Sequence, residues 1–222
     1  MRSFEEIRAL ALGHHPDLDA RLSEHQEPLT VGELRAIPDD RWLAEMTRRV
    51  FQSGFVWKVI EAKWDGFEAA FDGFDPARVS FYSDDDVARL VSDERIVRNG
   101  QKIMATIENA QMVQDVAAEH GSFGAFLASW PVEDQIGLLD YLGKKGSRLG
   151  GMTGQYLLRF GGWDAFILSA DVTAALIREG VIDKAPTSRK ARQAVQDAFN
   201  AWRAESGRPQ SVISRTLALS TG

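Results

Sequence analysis

Apolar residues recur at three- and four-residue spacings through most of this chain, and that periodicity restricts the fold more than any other feature. Between residues 39 and 51 the apolar side chains share one face behind an acidic N-terminal end; they are Trp42, Leu43, Met46 and Val50. No segment alternates polar and apolar residues as a strand does, and no Asn-Gly hairpin signal is present. The sequence therefore predicts an all-α protein of ten or more short helices, built as two helical lobes around one core.

The same spacing predicts where the other helices lie. They are expected at 56–64, 95–119, 121–129, 132–142, 150–159, 172–178, 188–206 and after Pro209. Two more starts are indicated by Asp75-Pro76, since proline suits a first helical turn, and by Ser83 ahead of three aspartates. No internal repeat or flexible linker interrupts the pattern, so residues 1–222 are predicted to form a single helical domain.

Composition excludes several classes of protein. Hydrophobic residues make up 44% of the chain and charged residues 26%, which is ordinary for a globular protein and excludes a disordered one. No apolar run approaches the ~20 residues of a membrane span, and the acidic N-terminus does not resemble a secretory signal. We therefore expect a cytoplasmic protein without a membrane partner, and a monomer.

The chemistry of common cofactor sites is also missing. With no cysteine, the chain has no disulfide, thiolate nucleophile or cysteine-ligated zinc. It contains no phosphate-binding loop, dinucleotide fingerprint or HExxH motif. His14 and His15 near Asp17 and Asp19 favour an exposed loop over a metal site, because no helical ligand pair accompanies them. No metal and no cofactor are predicted.

Charge is divided unevenly along the chain. The net charge is −6, yet residues 140–222 carry 12 Lys and Arg against 7 Asp and Glu. An acidic total argues against indiscriminate nucleic-acid binding without forbidding a local basic face. The simpler interpretation of this division is solvated helix surface.

The most informative segment is 141–154, YLGKKGSRLGGMTG. A helix is expected to end at Leu142, a turn rich in glycine and lysine to follow, and a new helix to begin near Gly150 with Thr153 in its first turn. Free backbone N–H groups at the second helix could bind a phosphate without regard to base sequence. The cations and glycines available for this are Lys144, Lys145, Gly146, Arg148, Gly150 and Gly151. The pattern suits equally a DNA-gripping hairpin at 143–154 and an ordinary connection with capping glycines.

Two further places could carry chemistry. Asp171 falls at or beside the start of a helix about twenty residues after the hairpin, where it would be either a cap or a carboxylate at the mouth of a cleft. Gln52 and Trp57 flank the break at Ser53-Gly54. The indole there could stack on a base, and the amide could hydrogen-bond to its edge. Most of the surrounding aromatics, which include Phe67, Phe71 and Phe74 at three- and four-residue spacings, are expected in the core.

These residues together resemble the bacterial DNA-3-methyladenine glycosylase I family. The resemblance is carried by LAEM, QSGFVWKVI and FEAAFDGFDP within 42–76, by DDDVARLVSDERIVRNGQKIMATIENA at 84–110, and by KKGSRLGGMT at 144–153. It implies the two-lobed helix–hairpin–helix glycosylase fold, and an enzyme that flips an alkylated purine of the 3-methyladenine type out of duplex DNA. It also implies base stacking by Trp57 and pocket lining by Gln52.

The chain also departs from that family. Arg49 occupies the place of the glutamate that the family uses to recognise the methylated purine, and a guanidinium is a poor neighbour for a cationic base. The family's zinc cysteines are absent, and residues 1–38 have no clear counterpart. Asp171, in contrast, falls where the wider superfamily keeps a catalytic aspartate that this branch lacks.

The leading hypothesis is a monofunctional glycosylase in which Asp171 stabilises the sugar cation and orients water. No lyase activity is predicted. A DNA-binding member that has lost the chemistry, as Arg49 suggests, is the first alternative. A helical protein-interaction domain is the second.

Overall fold

The computed structural model describes residues 1–24 and 27–222, and over these residues the chain is all-α, as predicted, without a strand. In chain order the helices are α1 (Phe4–His14), α2 (Leu18–Ser23), α3 (Val31–Ala36), α4 (Asp39–Gln52), α5 (Trp57–Ala62), α6 (Trp64–Ala70), α7 (Pro76–Val79), α8 (Asp84–Ser92), α9 (Gly100–His120), α10 (Phe123–Ser129), α11 (Gln135–Lys145), α12 (Gly151–Phe160), α13 (Ala170–Arg178), α14 (Arg189–Ser206) and α15 (Gln210–Leu219). Short 3₁₀ turns lie at Asp72–Phe74 and Val132–Asp134. None of the described helices is long and apolar enough to cross a membrane.

The chain folds into two compact units, named here for their place along the sequence. The central unit comprises Thr30–Trp130 and Leu139–Leu157. The terminal unit comprises Met1–Leu29, Pro131–Leu138 and Leu158–Gly222. The expectation of one domain over 1–222 stays a prediction.

The central unit is built on a buried column of aromatic rings. Phe67, Phe71 and Phe74 are fully buried, and their rings stack with centroids 6.3 and 5.5 Å apart. Asp72 and Phe74 adopt positive φ so that this column can turn at the 3₁₀ segment. The helical spacing of these three residues therefore marked core packing, as the sequence predicted.

The terminal unit has its own aromatic pair and a buried carboxylate. Phe166 stacks on Phe199 with 4.2 Å between ring centroids. Glu179 is almost completely buried, and its oxygens accept hydrogen bonds from the guanidinium groups of Arg2 and Arg178 at 2.9 Å. These charge-assisted bonds attach the N-terminal segment to the end of α13.

Two predicted helices of the central unit differ from expectation, and local capping explains one of the differences. α9 begins at Gly100 instead of residue 95, because the Asn99 side chain accepts a hydrogen bond from the Lys102 N–H and caps the helix there. The helix expected over 56–64 is two short helices, α5 and α6, which meet at Lys63.

Candidate active site

The break between α4 and α5 presents an exposed apolar turn. α4 ends at Gln52, and Gly54 has a φ of +75°, a backbone conformation in which a side chain would be strained. This lets α5 start at Trp57 and leaves Phe55 and Val56 at the surface. The Trp57 side chain is 39% exposed.

Trp57 is held by two neighbours within the central unit. The Tyr156 ring on α12 meets the indole edge-on, with 5.3 Å between centroids and an interplanar angle of 87°. The Arg49 guanidinium carbon lies 5.6 Å from the indole centroid, within the range of a cation–π contact. The indole is thus oriented by an aromatic edge and by a cation.

Arg49 is 8% exposed and does not stand alone. Its Nε donates to Glu45 Oε1 at 2.6 Å, one helical turn earlier, and its Nη1 donates to Gln52 Oε1 at 2.8 Å. Because a guanidinium has donors only, the Gln52 oxygen must face Arg49. The buried charge is therefore compensated by Glu45 and used to orient an amide.

Gln52 is 3% exposed and is hydrogen-bonded at both ends of its amide. Its Nε2 donates to Glu61 Oε1 on α5 at 2.8 Å. The same Glu61 oxygen lies 3.8 Å from Nε of Arg48, whose guanidinium stacks on Trp64 at 4.1 Å. We call Glu45, Arg49, Gln52 and Glu61 the polar chain. It runs from carboxylate to guanidinium to amide to carboxylate.

Lys102 on α9 fastens the end of α4. Its Nζ donates to the carbonyl oxygens of Phe51 at 3.0 Å and Ser53 at 2.5 Å, and it lies 4.4 Å from the Phe55 ring centroid. Burial, with a smaller contribution from Arg148, lowers the Lys102 pKa to about 8. The lysine thus satisfies carbonyls that the helix end leaves open.

The predicted hairpin at 143–154 differs from expectation in its first half. α11 runs to Lys145 instead of ending at Leu142, so Lys144 and Lys145 are exposed in its last turn. Cations favour that position because it is the negative end of the helix dipole. α12 begins at Gly151, with Thr153 in its first turn as predicted.

Most glycines of the hairpin are needed because other atoms approach them closely, and not because their φ is positive. Of Gly143, Gly146, Gly150 and Gly151, only Gly151 adopts positive φ, at +59°, and Arg148 shares that region at +58°. Gly143 and Gly150 pass close together, since a Cβ on Gly143 would lie 3.5 Å from the Gly150 Cα. A Cβ on Gly146 would lie 2.6 Å from Leu149 Cδ1.

A buried asparagine holds this turn. Asn109 of α9 accepts from the Ser147 N–H at 2.7 Å and donates Nδ2 to the Ser147 carbonyl at 3.0 Å. Arg148 Nη2 donates to Gln101 Oε1 at 2.5 Å. The hairpin backbone is therefore fixed by α9 within the central unit.

Asp171 belongs to the terminal unit and is exposed in the first turn of α13. The cap of this helix is Ser169, whose hydroxyl accepts from the Val172 N–H at 3.2 Å. Asp171 is therefore not needed to cap the helix.

The extended segment before α13 is clamped by side chains. Gln135 is buried; its Nε2 donates to the Phe166 carbonyl and its Oε1 accepts from the Phe166 N–H, both at 2.8 Å. The Ser214 hydroxyl accepts from the Ile167 N–H at 3.0 Å. Two consecutive residues of the strand-like segment are thus held as a neighbouring strand would hold them.

Sequence reasoning missed four residues that shape these sites: Glu45, Glu61, Lys102 and Asn109. Glu45 was detectable, because it stands four residues before Arg49 on a helix. The other three act across the fold and left no local signal. No group of three or more His, Asp or Glu side chains in residues 1–24 and 27–222 is arranged to hold a metal ion.

The fold is that of the helical DNA glycosylases. Solved structures show the fold. The 3-methyladenine DNA glycosylase I of Staphylococcus aureus is 24% identical with a TM-score of 0.51, covering 61% of this chain and 79% of its own. A variant of that enzyme is 22% identical with a TM-score of 0.53, covering 72% and 94%.

A more distant structure extends the likeness along the chain. The 8-oxoguanine glycosylase/lyase of Methanocaldococcus jannaschii, solved with DNA containing 8-oxoguanine, is 13% identical with a TM-score of 0.50, covering 90% and 87%. Residues 35–138 match the family model of the methyladenine glycosylases. The 143–154 hairpin and Asp171 lie outside the matched segment.

Proposed function

We propose that this protein is a monofunctional DNA glycosylase that flips an alkylated purine out of duplex DNA and hydrolyses its N-glycosidic bond. The observation that carries this proposal is the half-exposed Trp57 beside a buried, oriented Gln52, inside the segment that matches the family. Stacking on an indole and contact with an amide offset the few kcal/mol of base flipping.

The chemical step needs least from the protein when the base is cationic, because such a base departs as a neutral molecule. Water adds its hydroxyl to the anomeric carbon as the bond to the base breaks, which leaves an abasic site; a cationic methylated base departs neutral and the water proton goes to solvent, whereas a neutral base takes up that proton as it departs. Asp171 is proposed to stabilise the cationic sugar of the transition state and to orient that water. Its exposed position in a first helical turn leaves the carboxylate accessible to a ligand.

Backbone contacts are assigned to the hairpin. Lys144, Lys145 and Arg148 are proposed to face phosphates together with the N–H groups of Gly150, Gly151 and Thr153, and Gly146 to give the turn its close fit. Such contacts position the duplex without reading its sequence. Duplex DNA with a damaged base is therefore the proposed partner.

Base release from alkylated duplex DNA tests the proposal, with Asp171→Asn beside the parent protein. We expect the substitution to lower the rate at least ~100-fold while DNA binding persists. Asp183→Asn is the matched control, because Asp183 is also an exposed aspartate of the terminal unit. Undiminished release by Asp171→Asn would remove this residue from the mechanism.

A second candidate is a DNA-binding member of the fold without catalysis, and the buried Arg49 favours it. Salt-sensitive binding of duplex DNA with no abasic product from any lesion would select this alternative.

A further inference from the structure

We infer that the turn at Trp57 selects an uncharged damaged base over a cationic one, and that Arg49 sets this preference. The inference rests on the proposed function and names its substrate class.

The charge of Arg49 is fixed in place. Glu45 holds Nε at 2.6 Å and Gln52 holds Nη1 at 2.8 Å, so two bonds on different nitrogens define the plane of the guanidinium. A guanidinium does not lose its proton in a protein. The site therefore carries a permanent cation whose position is determined by its own helix.

That cation lies beside the proposed stacking platform. Its central carbon is 5.6 Å from the Trp57 ring centroid. A base stacked on the indole, with the usual ~4.5–7 Å between centroids, enters the range over which a partly buried charge acts with little screening. The base therefore experiences the guanidinium directly.

Glu45 offsets part of the Arg49 charge, and two further cations of the central unit, Arg48 and Lys102, lie at or beside the end of α4. A glutamate at position 49 would change the local charge by two units.

Arg49 and Gln52 also favour acceptors on the base. A guanidinium only donates hydrogen bonds, and the Gln52 oxygen is already engaged by Arg49. Ring methylation makes a purine cationic, whereas an etheno bridge or replacement of an amino group by a carbonyl leaves it neutral. Arg49 and Gln52 therefore suit the neutral purines.

Four lesions separate charge from carbonyl content. Methylated duplex DNA supplies 3-methyladenine, a cation without a carbonyl, and 7-methylguanine, a cation with one. Duplexes with ethenoadenine or hypoxanthine supply neutral bases without and with a carbonyl. We expect the parent protein to release the neutral bases at least ~10-fold faster relative to the cationic ones than Arg49→Glu does.

The ratio of two substrates within one variant does not depend on how much protein is folded. Arg49→Gln provides a second variant that removes the charge without placing a carboxylate next to Glu45, and it should give an intermediate ratio. Arg35→Gln, an exposed arginine of α3, is the control and should leave the ratio unchanged.

Faster release of cationic bases by the parent protein, or a ratio unmoved by both Arg49 variants, overturns the inference and leaves the glycosylase function intact. If no base is released from any duplex, the proposed function fails and binding decides the inference. Tighter binding of ethenoadenine than of 7-methylguanine duplexes then supports it, and equal binding overturns it.

Discussion

The Trp57 turn and the Asp171 turn hold their proposed functional groups in opposite ways. At Trp57 the side chains themselves are fixed: Arg49 and Gln52 are buried and hydrogen-bonded at both ends. At Asp171 the carboxylate is exposed, and the backbone leading to it is what is fixed, by Gln135 and Ser214. The proposed specificity at Trp57 would depend on neighbouring side chains, whereas the proposed placement of Asp171 would depend on the backbone.

The comparison can be tested most strongly at the indole. Trp57→Ala removes a stacking surface worth ~1–3 kcal/mol per base, so we expect base release to fall ~10–100-fold through weaker binding of the flipped base. Steady-state kinetics should show the change mainly in KM. Because the side chain is half-exposed, the melting temperature should change little.

Trp57→Phe provides the control for that experiment, since it keeps an aromatic face and should recover most of the activity. A loss confined to kcat would contradict the assignment of Trp57 to stacking. Such a result would indicate that Trp57 acts in the chemical step, as proposed for Asp171, and not in binding the base.

Much of the scaffold was accessible from sequence because it depends on local rules. The spacing of Phe67, Phe71 and Phe74 marked the core, and Ser83 was a readable cap. The helices in residues 1–38 were not predicted, although the capping boxes of Ser3 with Glu6 and Thr30 with Glu33 are visible in the sequence.

The site was less accessible because its determinants lie far apart in the chain. Gln52 and Trp57 stood out by residue type, yet the contact of Gln52 with Glu61 depends on the angle between α4 and α5. Lys102 lies about fifty residues from the carbonyls it binds. Local pattern carries no information about such pairs.

The hydrogen bonds of Gln135 to the Phe166 backbone, in the segment before Asp171, give the next prediction. Gln135→Leu leaves the buried N–H and C=O of Phe166 without their partner, at a cost of ~2–4 kcal/mol in the free energy of unfolding. Chemical denaturation measures this loss. If the backbone positions Asp171, kcat should fall with little change in KM, measured well below the melting temperature.

Gln135→Glu helps to interpret that result, because the carboxylate can still accept from the Phe166 N–H although it cannot donate to the carbonyl. We expect it to lie between the parent protein and Gln135→Leu. A destabilised but fully active Gln135→Leu would separate the clamp from the chemistry.

Lys102 predicts a pH dependence of stability. Its pKa is about 8 in the folded protein and an ordinary 10.5 in the unfolded chain, so between these values the unfolded state binds more protons. Stability therefore rises with pH across this window, by ~1–3 kcal/mol for a shift of this size. Lys102→Met should lack that increment, which denaturation at pH 7.5, 9 and 10.5 would measure. Parallel curves for the two proteins would contradict the assignment.

The smallest expected effect concerns the hairpin. It compares the solvated lysines of the hairpin with the buried polar chain near Trp57. If Lys144 and Lys145 each neutralise one phosphate, replacing both with glutamine lowers the slope of log affinity against log salt by about 1.8, or ~0.9 per contact. The ratio of release between lesions should stay constant, because phosphate contacts carry no information about the base. Arg35→Gln again serves as the control and should keep the parent slope. An unchanged slope in the double variant would mean that these lysines, exposed at the negative end of α11, only stabilise that helix end.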